Sequence, residues 1–289
     1  MPLKLVTITG ADDSVRPEDL VELSKEFPFV EFGILASAFR SGTPRFPSRV
    51  WVDCLKSIPT AEKGPLKLSL HLCGKWVRDL LQGVLEFDWK LVPGFDRVQL
   101  NFHADETPCT PKKFWDRLLE ISQCGLCPGR GVKQIVFQLD GAKGLHHLSQ
   151  VCEQNGANRG FVDVAPLFDA SGGAGVLPEK WPTPFLFREG TTYAFHGYAG
   201  GLSPDNLWEQ LPKIHEAAHG ADYWIDVETH VRSEYPNHID GLGGRGEFFD
   251  LAKVWRFLAV AKNWMEQEPE DRRVFIPANP PQDVYAGVG

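Results

Sequence analysis

No run of apolar residues in this chain approaches the ~18–20 that a membrane-spanning helix requires, although 43% of its residues are hydrophobic. The opening stretch, MPLKLVTITGADD, has no basic leader, apolar core and cleavage site, so it does not read as a secretory signal. An excess of cations is missing too. Thirty Lys and Arg stand against 38 Asp and Glu, a formal net charge of -8. That balance argues against nonspecific binding to nucleic acid or to an anionic membrane. It leaves room for a small anionic ligand, which responds to the few groups around it. Cysteine is sparse and unpatterned. Cys54, Cys73, Cys109, Cys124, Cys127 and Cys152 are spread like reduced thiols of a cytoplasmic protein, not like a disulfide framework. Cys124-Gly-Leu-Cys127 has the spacing of a zinc or redox pair, but no second pair accompanies it and it sits in a Gly- and Pro-rich turn. There is neither an internal repeat nor a low-complexity block.

What the chain has is alternation. β-rich runs recur, each followed by a helix-like stretch, and this order implies a parallel sheet covered by helices. Strands are expected at residues 3–9, 30–37, 66–72, 97–103, 134–140, 161–169, 193–198 and 223–228. Helices are expected at 17–26, 49–58, 75–86, from 111, at 145–154, from 203 and at 247–264. Pro17 suits an early helical position, and Ser203 before Pro204 is a helix-start signal. After the sixth strand only a short helical turn is expected, at 178–181, because Gly172 to Pro182 offers little helix-forming sequence. Eight β-then-α units predict a single-domain (β/α)8 barrel, a TIM barrel, over residues 1–268, with an irregular tail at 269–289. An open doubly wound sheet shares the same periodicity.

In such a barrel the loops that follow the strands build the site, and the last two commonly hold phosphate. Asp169 ends the sixth strand and is followed by glycines, including Gly172 and Gly173. A carboxyl group placed there can serve as a general acid if partial burial keeps it protonated. Its plain alternative is a turn residue capping the glycine loop. Gly200 and Gly201 let the backbone approach an anion closely, and a helix opening at Ser203 would aim unpaired N–H groups at it. The same residues also suit a tight strand-to-helix turn.

Three segments resemble phosphoribosylanthranilate isomerase, in that family's order and spacing. Leu167-Phe168-Asp169-Ala170-Ser171-Gly172-Gly173-Ala174-Gly175 is similar to its Leu-Asp-Ser-Gly-Gly-x-Gly signature. Tyr198-Ala199-Gly200-Gly201-Leu202-Ser203-Pro204-Asp205-Asn206 is similar to its Leu-Ala-Gly-Gly-Leu-x-Pro-x-Asn. Ile225-Asp226-Val227-Glu228 follows its Asp-Val strand. Lys4-Leu5-Val6-Thr7-Ile8-Thr9 resembles its Lys-Ile-Cys-Gly-Ile-Thr, and Phe32 to Leu35 with Ser41, Arg45 and Ser48 resembles its second strand and basic loop. The resemblance spans about residues 3–265 and is specific within 161–206. It implies a small phosphorylated metabolite as partner, with Asp169 protonating the sugar-ring oxygen in an Amadori rearrangement. It also implies that Arg45 binds a substrate carboxylate.

The departures from that family are informative. Val6 stands where the family has the cysteine that removes the C2 proton, and valine accepts no proton. Strand alternation is expected to turn Thr7 away from the barrel interior. The eighth-strand Ser-Gly is replaced by Glu228-Thr229-His230, followed by an insertion, 231–246, that ends Gly241-Leu242-Gly243-Gly244-Arg245-Gly246. This G-x-G-x-x-G does not directly follow a strand, so it lacks the dinucleotide-site context. The expectation is instead that the amides of Gly243 and Gly244, with the Arg245 side chain, complete the anion site. His215-Glu216-Ala217-Ala218-His219 matches H-E-x-x-H, but Leu207, Leu211, Ile214 and Ala218 form that helix's apolar stripe and Gly220 ends it at once. Neither a metal nor a cofactor is expected. A replacement base is sought among polar residues at strand ends: His71 and Cys73, Asn101 and His103, Gln138 and Asp140, Glu228 and His230. Of these His71 and Glu228 rank first. The sequence thus predicts an isomerase-like barrel acting on a phosphorylated sugar or related phosphate ester, with Asp169, His71 and Glu228 as its catalytic set and the orthodox isomerisation lost. A non-catalytic metabolite-binding barrel and a metal-dependent lyase or hydrolase stand as alternatives.

Overall fold

The computed structural model describes residues 2–58, 64–82, 89–101, 111–123, 132–139, 148, 163–169, 174–184, 195–235 and 246–267. Eight strands form its centre: β1 (Leu3–Thr9), β2 (Val30–Ser37), β3 (Lys67–Cys73), β4 (Arg97–Asn101), β5 (Gln134–Leu139), β6 (Val164–Asp169), β7 (His196–Ala199) and β8 (Tyr223–Val227). They pair in chain order, all parallel, and β8 returns to β1 with Thr7 opposite Asp226, so the sheet is a closed barrel and not an open one. The helices are α1 (Pro17–Glu26), α2 (Arg49–Ser57), α3 (Lys75–Gln82), α4 (Pro111–Gln123), α5 (Leu207–Ala217) and α6 (Leu251–Glu266).

Alternation divides each strand between two environments. Val6 and Ile8, Phe32 and Ile34, Leu68, Leu70 and Leu72, and Ile225 and Val227 join the large core beneath the helices. Residues of the other parity face the interior. A smaller apolar cluster fills part of it: Leu5, Val136, Ala165, Leu167, Ala199 and Trp224. The β7 strand leaves space for the indole, since a Cβ on Gly197 would lie 2.2 Å from the Trp224 ring. Beside this cluster the interior is polar. Arg97 on β4 donates to Glu31 on β2 at 2.8 Å, a contact that skips a strand and must run through the barrel. Thr7 donates to the same Glu31 oxygen at 2.9 Å, and the guanidinium carbon of Arg97 lies 4.1 Å from the centre of the Trp224 ring.

Several boundaries differ from the sequence expectation. The helix expected from residue 203 begins at Leu207, because Ser203 and Asn206 bond each other reciprocally and make the preceding residues a turn. The last helix begins at Leu251, not at 247, with Asp250 as its cap, accepting from the Ala252 and Lys253 amides. Residues Glu247–Phe249 are instead a strand, β10, antiparallel to β9 (Arg232–Glu234). At 178–181 the chain bends without a helical turn. The expected helix at 145–154 lies outside the described residues apart from Leu148, and the tail at 269–289 lies wholly outside them.

The Glu31–Arg97 pair yields a stability prediction. Burial, with a smaller push from Asp96, holds the Glu31 carboxyl above its usual range, and Arg97 and the Thr7 hydroxyl oppose that rise. Arg97→Met should lower unfolding free energy at pH 7 by about 3–5 kcal/mol, the usual penalty for leaving one member of a buried pair uncompensated. Adding Glu31→Gln should restore much of the loss. Urea unfolding of the two variants measures both, and an Arg97→Met protein as stable as the parent would contradict the pair's role.

Candidate active site

The strand ends open into a cavity of about 600 Å³ at the C-terminal mouth of the barrel. It gathers Asp169, His71, Glu228, Arg45, Gly200 and Gly201 from the predicted set, with Cys73, Asn101, Gln138 and His230 among the polar strand-end residues. Gly172, Gly173, Gly243, Gly244, Arg245, His103 and Asp140 lie outside the described residues.

Asp169 ends β6 and is 4% exposed, accepting from Gln138 Nε2 at 2.7 Å. Glu228 follows β8 directly, and its Oε1 accepts from Arg45 at 3.0 Å. Burial pushes the Glu228 carboxyl up, Arg45 and Arg232 pull it down, and nearby Asp169 adds to the rise. A third carboxyl, Asp226, was missed as a site residue. It lies two positions before Glu228, so alternation alone placed both on one face. Its Oδ1 accepts from Thr9 Oγ1 at 2.7 Å, and burial raises its carboxyl well above the ordinary range, with Glu228, Glu31 and Asp169 adding to the rise. Two of the three carboxyls therefore favour the protonated form more than a solvated carboxyl does.

His71 is 1% exposed, and neither ring nitrogen has a hydrogen-bond partner among the described residues. Burial and the neighbouring Arg97 push its imidazole down to about 3, so it is neutral at physiological pH and a weak base. Cys73 is pushed up to about 12, chiefly by burial, and is a thiol there. The β1 strand departs from the expected orientation. Val6, the residue matched to the family's cysteine, is fully buried in the outer core, whereas Thr7 faces inward. Register is the reason: Thr7 lies opposite Glu31 on one side and Asp226 on the other, and both of those face the interior.

Arg45 is not a solvated arginine. Its backbone takes φ +75°, unusual for a residue with a side chain, and its N–H donates to Asp12 Oδ2 at 2.6 Å. Its Nε donates to Glu247 at 3.0 Å, and its other contacts are Glu228 at 3.0 Å and Thr229 Oγ1 at 3.3 Å. Arg232, which no sequence motif singled out, is buried and donates to Asp12 at 2.7 Å and to the Gly10 carbonyl.

Gly200 and Gly201 have φ of 109° and 67°, a region that favours glycine. Gly201 also packs tightly, since a Cβ there would lie 2.3 Å from the Leu177 backbone nitrogen. A valine at this position would therefore displace the loop after β6 as well as any ligand. The Ser203 amide is already engaged by Asn206 Oδ1 at 2.8 Å. His230 turns toward the Gly175 carbonyl at 3.1 Å. In the H-E-x-x-H segment His215 packs edge-on against Trp264 and His219 is exposed at φ +49°. Among the described residues no group of three or more His, Cys, Asp and Glu is arranged to hold a metal ion, and none of the helices is long and apolar enough to cross a membrane.

Fold and mouth together define a (β/α)8 barrel with a carboxyl-lined cavity at the C-terminal ends of its strands. No protein-family model matches the sequence, and neither does any curated protein. Similar solved structures include a Rubisco-like protein from Rhodopseudomonas palustris, at 12% identity and TM-score 0.44, covering 93% of this chain and 66% of that one. Another is phospho-2-dehydro-3-deoxyheptonate aldolase from Thermotoga maritima, at 12% identity and TM-score 0.48, covering 91% of this chain and 69% of that one. The carboxyl transferase domain of Rhizobium etli pyruvate carboxylase, at 12% identity and TM-score 0.40, covers 79% of this chain and 40% of that one. The chain thus spans just under two-thirds of the Rubisco-like protein's length.

The state of Asp226 can be measured. A carboxyl raised on folding contributes stability that is full below its unfolded pKa, about 4, and is lost as pH rises through the folded value. Asp226→Asn keeps an oxygen for Thr9 and carries no charge. It should raise Tm by about 2–4 °C at pH 8, the shift given by ~1 kcal/mol in a chain of this size, with the gain vanishing near pH 4. Thermal scans across pH test this, and a gain independent of pH would show that ionisation is not the cause.

Proposed function

We propose that this protein is a cytoplasmic enzyme of small-molecule metabolism, related in design to phosphoribosylanthranilate isomerase and acting on a phosphorylated sugar or a similar phosphate ester. Asp169 is its general acid and Glu228 its general base. The observation that carries this reading is that Asp169, Asp226 and Glu228 line one cavity together with Gly200 and Gly201. Two carboxyls that face one cavity can divide proton transfer between them, and Asp169 takes the acid role that the family resemblance implies for it. Glu228 is preferred to His71 as base because its carboxyl is raised toward neutrality while the imidazole is held far below it.

The phosphate is assigned to the Gly200–Gly201 turn; Gly172, Gly173, Gly243, Gly244 and Arg245, which the sequence reading adds to it, lie outside the described residues. Two glycines with positive φ at the rim let the backbone come close to an anion. Arg45 lines the same cavity and is assigned to a second acidic group of the substrate. The orthodox rearrangement is not expected. β1 presents Thr9 at the mouth, bonded to Asp226, and a threonine hydroxyl is a poor base.

Aldose and ketose phosphates, incubated with the protein and followed by proton exchange at C2 in deuterated water, provide the assay. Asp169→Asn and Glu228→Gln should each reduce turnover by about 10²–10⁴. Wild-type protein should fail to support a bacterium that lacks its own isomerase. Because Val6 points outward, the informative companion is Thr9→Cys and not Val6→Cys. Exchange that survives both carboxyl substitutions, or robust growth with the wild-type protein, would defeat the reading.

A further inference from the structure

Arg45 reaches the cavity with its charge already shared. Nε and one terminal nitrogen are taken by Glu247 and Glu228, each at 3.0 Å. It is also fixed in place. The strained φ is held by the N–H bond to Asp12, and Asp12 is pinned by Arg232, with both of those side chains 5% exposed or less. An anion that approaches Arg45 therefore meets carboxylates at the same moment.

The groups around Glu228 come from every neighbouring element. Arg45 comes from the loop after β2, Arg232 from β9, Asp169 from β6, Asp226 from its own strand and the Cys73 thiol from β3. The cavity wall holds Arg40 and Arg45 against Asp169, Asp226, Glu228 and Glu247. Arg40 lies 4.3 Å over the Phe46 ring, and no carboxylate lies within ion-pair reach of it among the described residues. Even with Asp226 neutral, three further carboxyls face two guanidinium groups, so the wall is net negative when those three are ionised. Like charges within one cavity repel each other, more strongly near a protein surface than in bulk water. An anion therefore binds well only if a carboxyl gives up its charge. Asp226 already favours its protonated form. Of the two carboxylates bonded to Arg45, Glu247 is held below its usual range by Arg45 and Arg232, while burial holds Glu228 above its own, so Glu228 is the one of that pair that yields.

We propose that anion binding at Arg45 and proton binding at Glu228 reinforce each other, so that the ligand's oxyanion takes the guanidinium edge Glu228 now occupies and Glu228 gains proton affinity as it lets go. The proposal rests on the reading of this cavity as the site of an anionic metabolite, and it adds that Glu228 enters the complex protonated and must release that proton before it can accept one from the substrate. Reciprocity is a thermodynamic necessity: if the anion strengthens proton binding, a proton strengthens anion binding by the same factor.

Sulfate is a suitable probe because it does not titrate between pH 5 and 9. Calorimetric titration in buffers of different ionisation enthalpy should show proton uptake, approaching one proton per sulfate. Affinity should weaken as pH rises, by up to about tenfold per unit where Glu228 titrates. Glu228→Gln mimics the protonated state. It should bind sulfate at least tenfold more tightly than wild type at pH 8, without proton uptake. Arg45→Met should abolish binding in either background. Zero proton uptake by the wild-type protein overturns the coupling, and that measurement stands even if a variant fails to fold. Sulfate binding that survives Arg45→Met also overturns it while leaving a Gly200–Gly201 phosphate site intact, and sulfate bound by neither wild type nor Glu228→Gln does so too. The enzyme reading is decided separately, by turnover in Asp169→Asn.

Discussion

Pairing of Thr7 with Asp226 and of Ile8 with Val227 closes the sheet, and this register decides which side chains share the interior. Once β8 is bound to β1, alternate residues of every strand project into one enclosed space. Thr7 then meets Glu31, Thr9 meets Asp226, and Arg97 reaches across β3 to Glu31. A slip of one residue on β1 would send Val6 and Ile8 into this polar interior and drive two threonines into the core under the helices. The hydrophobic pattern of β1 thus fixes the position of residues as distant in sequence as Glu228.

A polar interior is an expensive way to fill a barrel, and the charges it contains are handled in three different ways. Glu31 and Arg97 neutralise each other, and the Trp224 face adds a second favourable surface for the cation. Asp226 favours its protonated form, which removes the cost of a buried charge while keeping its bond with Thr9. His71 stays neutral because it is buried and because Arg97 is near. Only at the mouth, where Arg45, Glu228 and Glu247 are each 20–30% exposed, do charges stand together in reach of solvent. The gradient runs from compensated or neutral groups inside to ionised groups at the rim.

The barrel was legible because eight strand–helix alternations leave few other solutions, and the place of Asp169 at the mouth was legible because a residue that ends a barrel strand lies where the loops open. The orientation of β1 was not. Matching Val6 to a cysteine assigns a place in a motif, whereas facing inward depends on parity, and parity is set by partners on β2 and β8 that lie far away in sequence. The β10 strand was hidden for a related reason. Glu247-Phe248-Phe249 continues the apolar pattern of α6, and its strand character comes only from pairing with Arg232–Glu234. Gly201 reads in the sequence as a ligand contact, whereas the structure shows it as a packing contact, which requires knowing where residues 176 and 177 lie.

The ties at the mouth show how a site can be rigid while being built from loops. Asp12 comes from the loop after β1, Arg45 from the loop after β2, and Arg232 and Glu247 from the hairpin after β8. Ser14 adds a bond to the Phe249 amide at 2.8 Å, and Trp51 on α2 donates to the Val15 carbonyl at 2.7 Å. Each loop alone would be held by its own backbone, but the shared carboxylate of Asp12 makes their positions interdependent. An Arg45 backbone at φ +75° is tolerable under these conditions, because the bond to Asp12 offsets a local cost of order 1 kcal/mol. The guanidinium is thereby presented at a fixed place, and the carboxylates that hold it there are the same groups that the proposed anionic ligand would displace. Rigidity and charge competition at this mouth therefore have one origin, and neither can be altered without altering the other.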